Sequence, residues 1–262
     1  MHLGLSGEQY QQRCGRVTDI FHLAPISNLG APKETAWRVN VDGTRNMLEL
    51  ARDCEKLRRF NYFSTCYVSG DRLGVIAEDE LDRGQAFRNP YEETKFQAEK
   101  IVQRASATLP VTIYRPCSVV GDSRTGEIDR FEGPYYLGIL LVTSPMVVPL
   151  PLPGNGVAPL NVVPVDYVVS AVWHLSRDPR GVGRTFHLVD PNPMRARRVY
   201  VLIAQQAHLG VGERQVGLVG LHQDEGQLAV HEDEGEGLEN GRRPGPPGSR
   251  RSGPAGCGCR RC

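Results

Sequence analysis

Asn89-Pro90-Tyr91-Glu92-Glu93-Thr94-Lys95-Phe96-Gln97-Ala98-Glu99 reads as the start of a helix. Asn89 can cap it, Pro90 suits the first helical position because its missing N–H would have no partner there, and Glu92 and Glu93 favour the positive end of the helix dipole. The spacing puts Tyr91 and Lys95 on one face, continued inward by Ala98, Ile101, Val102 and Ala105. An ammonium beside a phenol favours the phenolate and lowers its pKa, which makes a tyrosine usable for proton transfer near neutral pH. Tyr-x-x-x-Lys also arises by chance in any helix, so the surrounding chain decides its meaning.

On either side of this helix lie short apolar runs. Val17-Thr18-Asp19-Ile20-Phe21-His22-Leu23-Ala24, ended by Pro25, suits a buried parallel strand. A helix follows over Ala36 to Glu55, with apolar residues at Val39, Val41, Met47, Leu48, Leu50 and Ala51. Phe60 to Thr65 is a second strand with a polar end, and Pro110 to Pro116 a third, separated from the second by the charged loop Asp71 to Arg88 and the Tyr91 helix. The order strand, helix, strand, helix, strand predicts an α/β fold: a doubly wound parallel sheet covered by helices. Ligands of such sheets bind beyond the carboxyl ends of the strands. Ser64, Thr65, Pro116, Cys117 and Ser118 fall at those ends, on the same rim as Tyr91 and Lys95.

Before these elements, Gly7 to Arg16 reads as a polar helix; after them, Gly121 to Gly126 reads as a loop. Leu137 to Leu152 is apolar but holds Gly138, Ser144, Pro145, Pro149 and Pro151, which predicts a loop-rich segment. Asn161 to Tyr167 is a short strand entering a helix over Val168 to Leu175; Phe186 to Val189 is another strand, and a last helix runs from about Arg195 to His208. No Phe, Trp or Tyr occurs beyond Tyr200, and residues 209–262 cannot bury a core, so this tail is read as disordered or out-of-frame text after about Leu209. Cys257-x-Cys259-x-x-Cys262 lacks a fourth ligand nearby, and no metal site is assigned.

The 31 Lys and Arg nearly balance the 30 Asp and Glu, which gives no electrostatic case for nucleic acid or an anionic membrane. No apolar run is long enough to span a bilayer, and the opening residues lack the parts of a signal peptide. Seven cysteines without common spacing fit free thiols in a cytoplasmic protein better than a disulfide framework.

Phe21-His22-Leu23-Ala24, Asn40-Val41-Asp42-Gly43-Thr44, Phe63-Ser64-Thr65 up to Gly70, Tyr91-x-x-x-Lys95-x-x-x-Glu99, Arg115-Pro116 and Val163-Pro164-Val165-Asp166-Tyr167 together resemble the extended short-chain dehydrogenase/reductase superfamily. Leu3-Gly4-Leu5-Ser6 and Ser64-Thr65-Cys66-Tyr67-Val68 look most like its thioester reductase and fatty acyl-CoA reductase branch, the male-sterility NAD-binding type; sugar-nucleotide epimerases and dehydratases are the near alternative.

The resemblance implies a catalytic triad of Thr65, Tyr91 and Lys95, and a nicotinamide cofactor, NADP or NAD. That cofactor would lie against Ala24, Lys95 and the stretch Pro116, Cys117, Ser118 and Val119. It implies reduction of an acyl thioester or another small-molecule carbonyl, with Tyr91 giving the proton and Thr65 holding the oxygen. Ser64 is weaker, readable as a strand-end hydroxyl only. His22 reads more readily as a packed core histidine than as a base, and Asn40 as either a backbone clamp beside the site or the start of its helix. Cys66 and Cys117 adjoin the rim without a histidine beside them in sequence.

One part of the family pattern is absent. Gly4, Gly7 and Gly15 lack the spacing of the Gly-x-x-Gly-x-x-Gly turn that lets the cofactor pyrophosphate approach a helix. Residues 1–208 are therefore expected to form a partial Rossmann-like sheet lacking its first strands and exposing an apolar edge. A small C-terminal substrate-side region completes that domain, and the tail follows; without the glycine-rich turn the alternative to a reductase is a non-catalytic remnant acting as a binding module. Neither the substrate nor the oligomeric state is readable from these residues.

Overall fold

The three apolar runs form adjacent strands in the computed structural model of the chain, which describes residues 3–28, 30–131, 133–143, 156–207 and 259–260. In chain order the elements are α1 (Gly7–Cys14), β1 (Asp19–His22), α2 (Lys33–Trp37), a π-helical turn (Arg38–Asp42), α3 (Gly43–Asp53), β2 (Arg59–Phe63), a 3₁₀ turn (Cys66–Ser69) and β3 (Val75–Ile76). Then come α4 (Pro90–Ala105), β4 (Val111–Pro116), β5 (Ser118–Val120), α5 (Pro134–Thr143), β6 (Val162–Pro164), α6 (Val165–Arg177), β7 (Thr185–Leu188), α7 (Ala196–Ala207) and β8 (Cys259–Arg260).

The main sheet has the order β1-β2-β4-β7, and every neighbouring pair is parallel. Ile20 stands opposite Phe60, Phe60 opposite Val111, and Tyr114 opposite Phe186. This is the parallel α/β sheet expected from the alternation, with helices on both faces. Ile113 and Tyr114 are neighbours in β4, so their side chains leave opposite faces, and they join different cores. Ile113 packs with Ile20, Phe60, Tyr62, Leu48 of α3, and Ala98 and Val102 of α4. Tyr114 packs with Val163, Leu188, and Val168 and Val172 of α6.

Among the described residues β1 is one of the two outer strands, and Phe21 within it and Leu23 just beyond it are 45% and 54% exposed. This is the apolar edge that the sequence predicts.

Two compact units divide the chain, one of residues 1–130, 161–193 and 259–262, the other of 131–160 and 194–258. Within the second, Tyr200 is buried against Leu160, Ala196 and Ile203, and Ile203 also meets Gly138 of α5. The expectation of a loop-rich segment from Leu137 onward is corrected in part. α5 runs through Gly138 to Thr143, because Pro134 sits at its first position, where a proline costs no hydrogen bond, and the other prolines all lie after its end. Residues 144–155, and the tail as far as residue 258, lie outside the described residues. From the tail, Cys259–Arg260 pair antiparallel with Val75–Ile76.

Candidate active site

Because β1, β2 and β4 are parallel, their carboxyl ends open on one rim. Thr65 leaves β2 in an extended conformation (φ −157°, ψ 154°) and caps the 3₁₀ turn, its hydroxyl oxygen accepting from the Tyr67 N–H at 3.3 Å. That bond uses a lone pair and leaves the Thr65 proton to be donated. The cap of α4 forms as its sequence dictates: Asn89 accepts from the Glu92 N–H at 2.9 Å, Pro90 takes the first position, and Glu92 accepts in turn from the Asn89 amide at 2.9 Å and the Arg88 N–H at 3.0 Å. Tyr91 is half-buried in the first turn, and Lys95, one turn on, is 3% exposed.

Lys95 Nζ donates to the Tyr62 hydroxyl at 3.1 Å and the Phe63 carbonyl at 2.6 Å, and it lies 4.5 Å from the centre of the Tyr62 ring. Both hydrogen bonds go to β2. Burial pushes the ammonium down to about 7, and the Glu99 carboxylate one turn further along α4 opposes that fall.

Glu99 organises the floor of the site. It forms an ion pair with Arg115 at 2.6 Å, the two side chains 0% and 1% exposed, and it accepts the Ser64 hydroxyl proton. Ser64 is thereby committed to the interior, in line with the strand-end reading. Arg115 also donates to the Glu80 carbonyl at 2.9 Å and meets His187 Nε2 at 3.1 Å. A guanidinium has no acceptor, so His187 Nε2 accepts and carries no proton.

His22 is buried, its Nε2 3.0 Å from the Thr44 hydroxyl oxygen. Thr44 gives its only proton to the Asn40 carbonyl at 2.7 Å, so the His22 Nε2 must be the protonated nitrogen. Desolvation, with the Lys95 charge adding to it, pushes His22 down to about 4, which makes it a neutral core histidine.

The two readings of Asn40 are resolved. It lies in the π-helical turn within a helical run from Lys33 to Asp53, not at a helix start. Its amide accepts from the Ile26 N–H at 2.8 Å and donates to the Thr94 hydroxyl at 2.9 Å, clamping the segment after β1 to the first turns of α4. Such π turns recur at functional sites.

Of the cofactor-side residues, Ala24 is exposed, Val119 is 40% exposed, and Pro116 and Ser118 are half-buried. The Ser118 hydroxyl is 2.8 Å from the Tyr67 hydroxyl. Cys117 is buried instead, packed with Cys66 and Val189 under the rim, and Cys66 donates to the Arg115 carbonyl at 3.1 Å. No cluster of three or more His, Cys, Asp or Glu able to hold a metal occurs among the described residues, and no described helix is long and apolar enough to cross a membrane.

The family model described as male sterility protein, an NAD-binding domain, matches residues 1–172. The chain belongs to this family. Among solved structures, the terminal R domain from the myxalamid PKS-NRPS biosynthetic pathway superposes with a TM-score of 0.67 at 34% identity, covering 78% of this chain and 51% of that one. Among curated relatives, the nonribosomal peptide synthetase asaC of Aspergillus flavus is 29% identical over 203 residues, 72% of this chain and 19% of that protein. The fatty acyl-CoA reductase wat of Drosophila melanogaster is 26% identical over 208 residues, 67% of this chain and 40% of that protein. This male sterility family chain therefore spans about half or less of the length of these relatives.

Helix spacing points to Tyr91 and Lys95, and the family resemblance to Thr65, but the sequence misses the contact of Tyr62 with Lys95 and the pairing of Glu99 with Arg115. Tyr62 is 33 residues before Lys95, and only strand register brings it beneath the helix. The one available signal for Glu99 is its place one turn after Lys95, since two buried charges on one apolar stripe demand a partner.

Proposed function

We propose that this chain carries the reaction centre of an NAD(P)H-dependent reductase acting on an acyl thioester or another carbonyl. One observation carries the reading furthest. An ammonium held near neutrality, a half-buried phenol one turn away and a hydroxyl with a proton to donate stand on the rim where parallel-sheet proteins bind ligands.

The residues fit the nicotinamide half of the cofactor. Ala24 beyond β1 and Val119 in β5 leave exposed surface, and Lys95 spends two of its three ammonium protons on β2. The sequence has no Gly-x-x-Gly-x-x-Gly turn, and no residue is assigned to the pyrophosphate. When bound, the cofactor supplies a hydride to the carbonyl carbon. Thr65 donates its hydroxyl proton to the substrate oxygen and fixes it. Tyr91 gives its phenolic proton to that oxygen as negative charge develops there. Lys95, positively charged below about pH 7, stabilises the phenolate that Tyr91 becomes. Asn40 holds the helix start, and Glu99 with Arg115 holds the β2 end through Ser64, so the three groups keep their geometry without substrate.

The thioester is favoured over a sugar nucleotide by the 34% identity to the R domain. The test is to incubate the protein with NADPH and a long-chain acyl-CoA, following NADPH oxidation and aldehyde together. Collapse of the resulting hemithioacetal breaks its C–S bond and releases the CoA thiol with the hydroxyl proton, so the reading predicts matched amounts of NADP⁺ and aldehyde, lost in Thr65→Val; NADPH consumption that Thr65→Val leaves intact would refute it.

A further inference from the structure

The chain leaves β2 through Ser64-Thr65-Cys66 and leaves β4 through Cys117. These strands pair in parallel, with Phe60 opposite Val111 and Phe63 opposite Tyr114, and the Ser64 N–H extends the ladder to the Tyr114 carbonyl at 2.7 Å. Carried on from Phe63 and Tyr114, that register sets Cys66 beside Cys117. Cys66 opens the 3₁₀ turn, yet its thiol stays on the end of β4, donating to the Arg115 carbonyl at 3.1 Å. The two cysteines are 5% and 6% exposed and share one small buried cluster with Val189. Neighbouring parallel strands lie about 4.8 Å apart, within the ~4.4–6.8 Å between Cα atoms that a disulfide spans.

Both residues carry thiols in the structure, and the reaction assigned to Thr65, Tyr91 and Lys95 consumes neither. Cys14 and Cys54 share a different cluster, with Tyr10 and Leu50, so the pair beside the rim is Cys66 with Cys117. Cys66 directly follows Thr65, and Cys117 directly precedes Ser118, whose hydroxyl is 2.8 Å from that of Tyr67. A bond between the two sulfurs would join the turn that holds Thr65 to the stretch that holds Ser118.

We propose that Cys66 and Cys117 form an oxidation site beneath the strand-end rim, where a hydroperoxide converts the two thiols into one disulfide. With hydrogen peroxide, one sulfur attacks the peroxide: an S–O bond forms, the O–O bond breaks, and the displaced oxygen leaves as water with the thiol proton. The second sulfur attacks this sulfenic acid: the S–S bond forms, the S–O bond breaks, and hydroxide leaves as water with the second thiol proton. The cysteines are oxidised and the peroxide is reduced to water. Burial keeps bulky thiol reagents out, but hydrogen peroxide is little larger than water, and a second thiol already packed against the first captures the sulfenic acid before it oxidises further. The site stands apart from the reductase reading, since nothing in its formation needs cofactor or substrate.

The test is to treat the folded protein with hydrogen peroxide, unfold it with iodoacetamide present to cap remaining thiols, digest it with trypsin without reduction, and read the peptides by mass spectrometry. Trypsin does not cut Arg115–Pro116, so Cys66 falls in Phe60–Arg72 and Cys117 in Ala105–Arg124, each peptide holding one cysteine. The expected result is these two peptides joined, released by dithiothreitol, and in higher yield than from protein oxidised in urea, where the seven cysteines pair without register. Cys66→Ser should lose the joined species and leave Cys117 as a sulfenic acid that dimedone traps. Recovery of the two peptides separately from the unsubstituted protein, as capped thiols or as sulfinic acids, would overturn the proposal, as would a joined yield no higher than in urea. Because the masses are read without substrate, a bridge found in a protein that oxidises no NADPH still supports the oxidation site and counts only against the reductase reading.

Discussion

Replacing Glu99 by leucine should be the most destabilising single change at the site. The carboxylate is fully buried, and so is its partner Arg115. Removing one member leaves a buried guanidinium whose other contacts, the Glu80 carbonyl at 2.9 Å and His187 Nε2 at 3.1 Å, are neutral. Breaking a buried pair in this way costs about 3–5 kcal/mol, where an exposed pair such as Lys33–Glu93 would cost roughly 1 kcal/mol or less. At about 2–4 °C per kcal/mol for a domain of this size, Tm should fall by roughly 6–20 °C. The double variant Glu99→Leu with Arg115→Met removes both charges and should recover a large part of that loss. Thermal and urea unfolding followed by circular dichroism reads both. A Glu99→Leu cost below about 1 kcal/mol, or a double variant no more stable than the single, would show that the pair does not hold the floor of the site.

Further outcomes follow from the same geometry. With Lys95 pushed down to about 7, kcat/KM should fall as pH rises through that value, because the cation beside Tyr91 is lost; a flat profile from pH 6 to about 9 would contradict it. The same shift has a stability sign. The folded-state value lies below the unfolded 10.5, so the unfolded chain holds more protons between about 7 and 10.5, and Lys95 should make stability rise with pH across that window, a slope that Lys95→Met removes in urea titrations. Asn40→Leu leaves the Ile26 N–H and the Thr94 hydroxyl without their 2.8 Å and 2.9 Å partners and should cost about 1–3 kcal/mol in urea unfolding. Gly70→Ala should be destabilising by more than about 1 kcal/mol, since φ there is +58° and a Cβ would collide with the Ala86 carbonyl; a neutral result would mean the turn is built otherwise.

The parallel sheet was legible because Pro25 and Pro116 end two of its apolar runs cleanly, and because Asn89-Pro90 announces α4 by cap chemistry that acts locally. The site was legible where it depends on helix spacing, as with Tyr91 and Lys95. It was not legible where it depends on register. Tyr62 meets Lys95, and Arg115 meets Glu99, only because β2 and β4 lie side by side under α4, and no local rule carries that pairing. The π-helical turn at Asn40 was equally hidden, since its extra residue leaves the apolar pattern of the helix unbroken. α5 was obscured by Gly138, Ser144, Pro145, Pro149 and Pro151, read as one loop-rich segment, although Gly138 packs beside Ile203 inside the helix and the others come after its end in sequence.

The central claim is that Tyr91 delivers a proton on a rim that binds the nicotinamide cofactor. Its most direct test is Tyr91→Phe, with NADPH affinity from fluorescence titration and turnover of an acyl-CoA measured on the same preparation. Turnover reduced by at least ~100-fold with Kd for NADPH unchanged is the predicted result; Tyr91→Phe turning over at the unsubstituted rate would contradict the account.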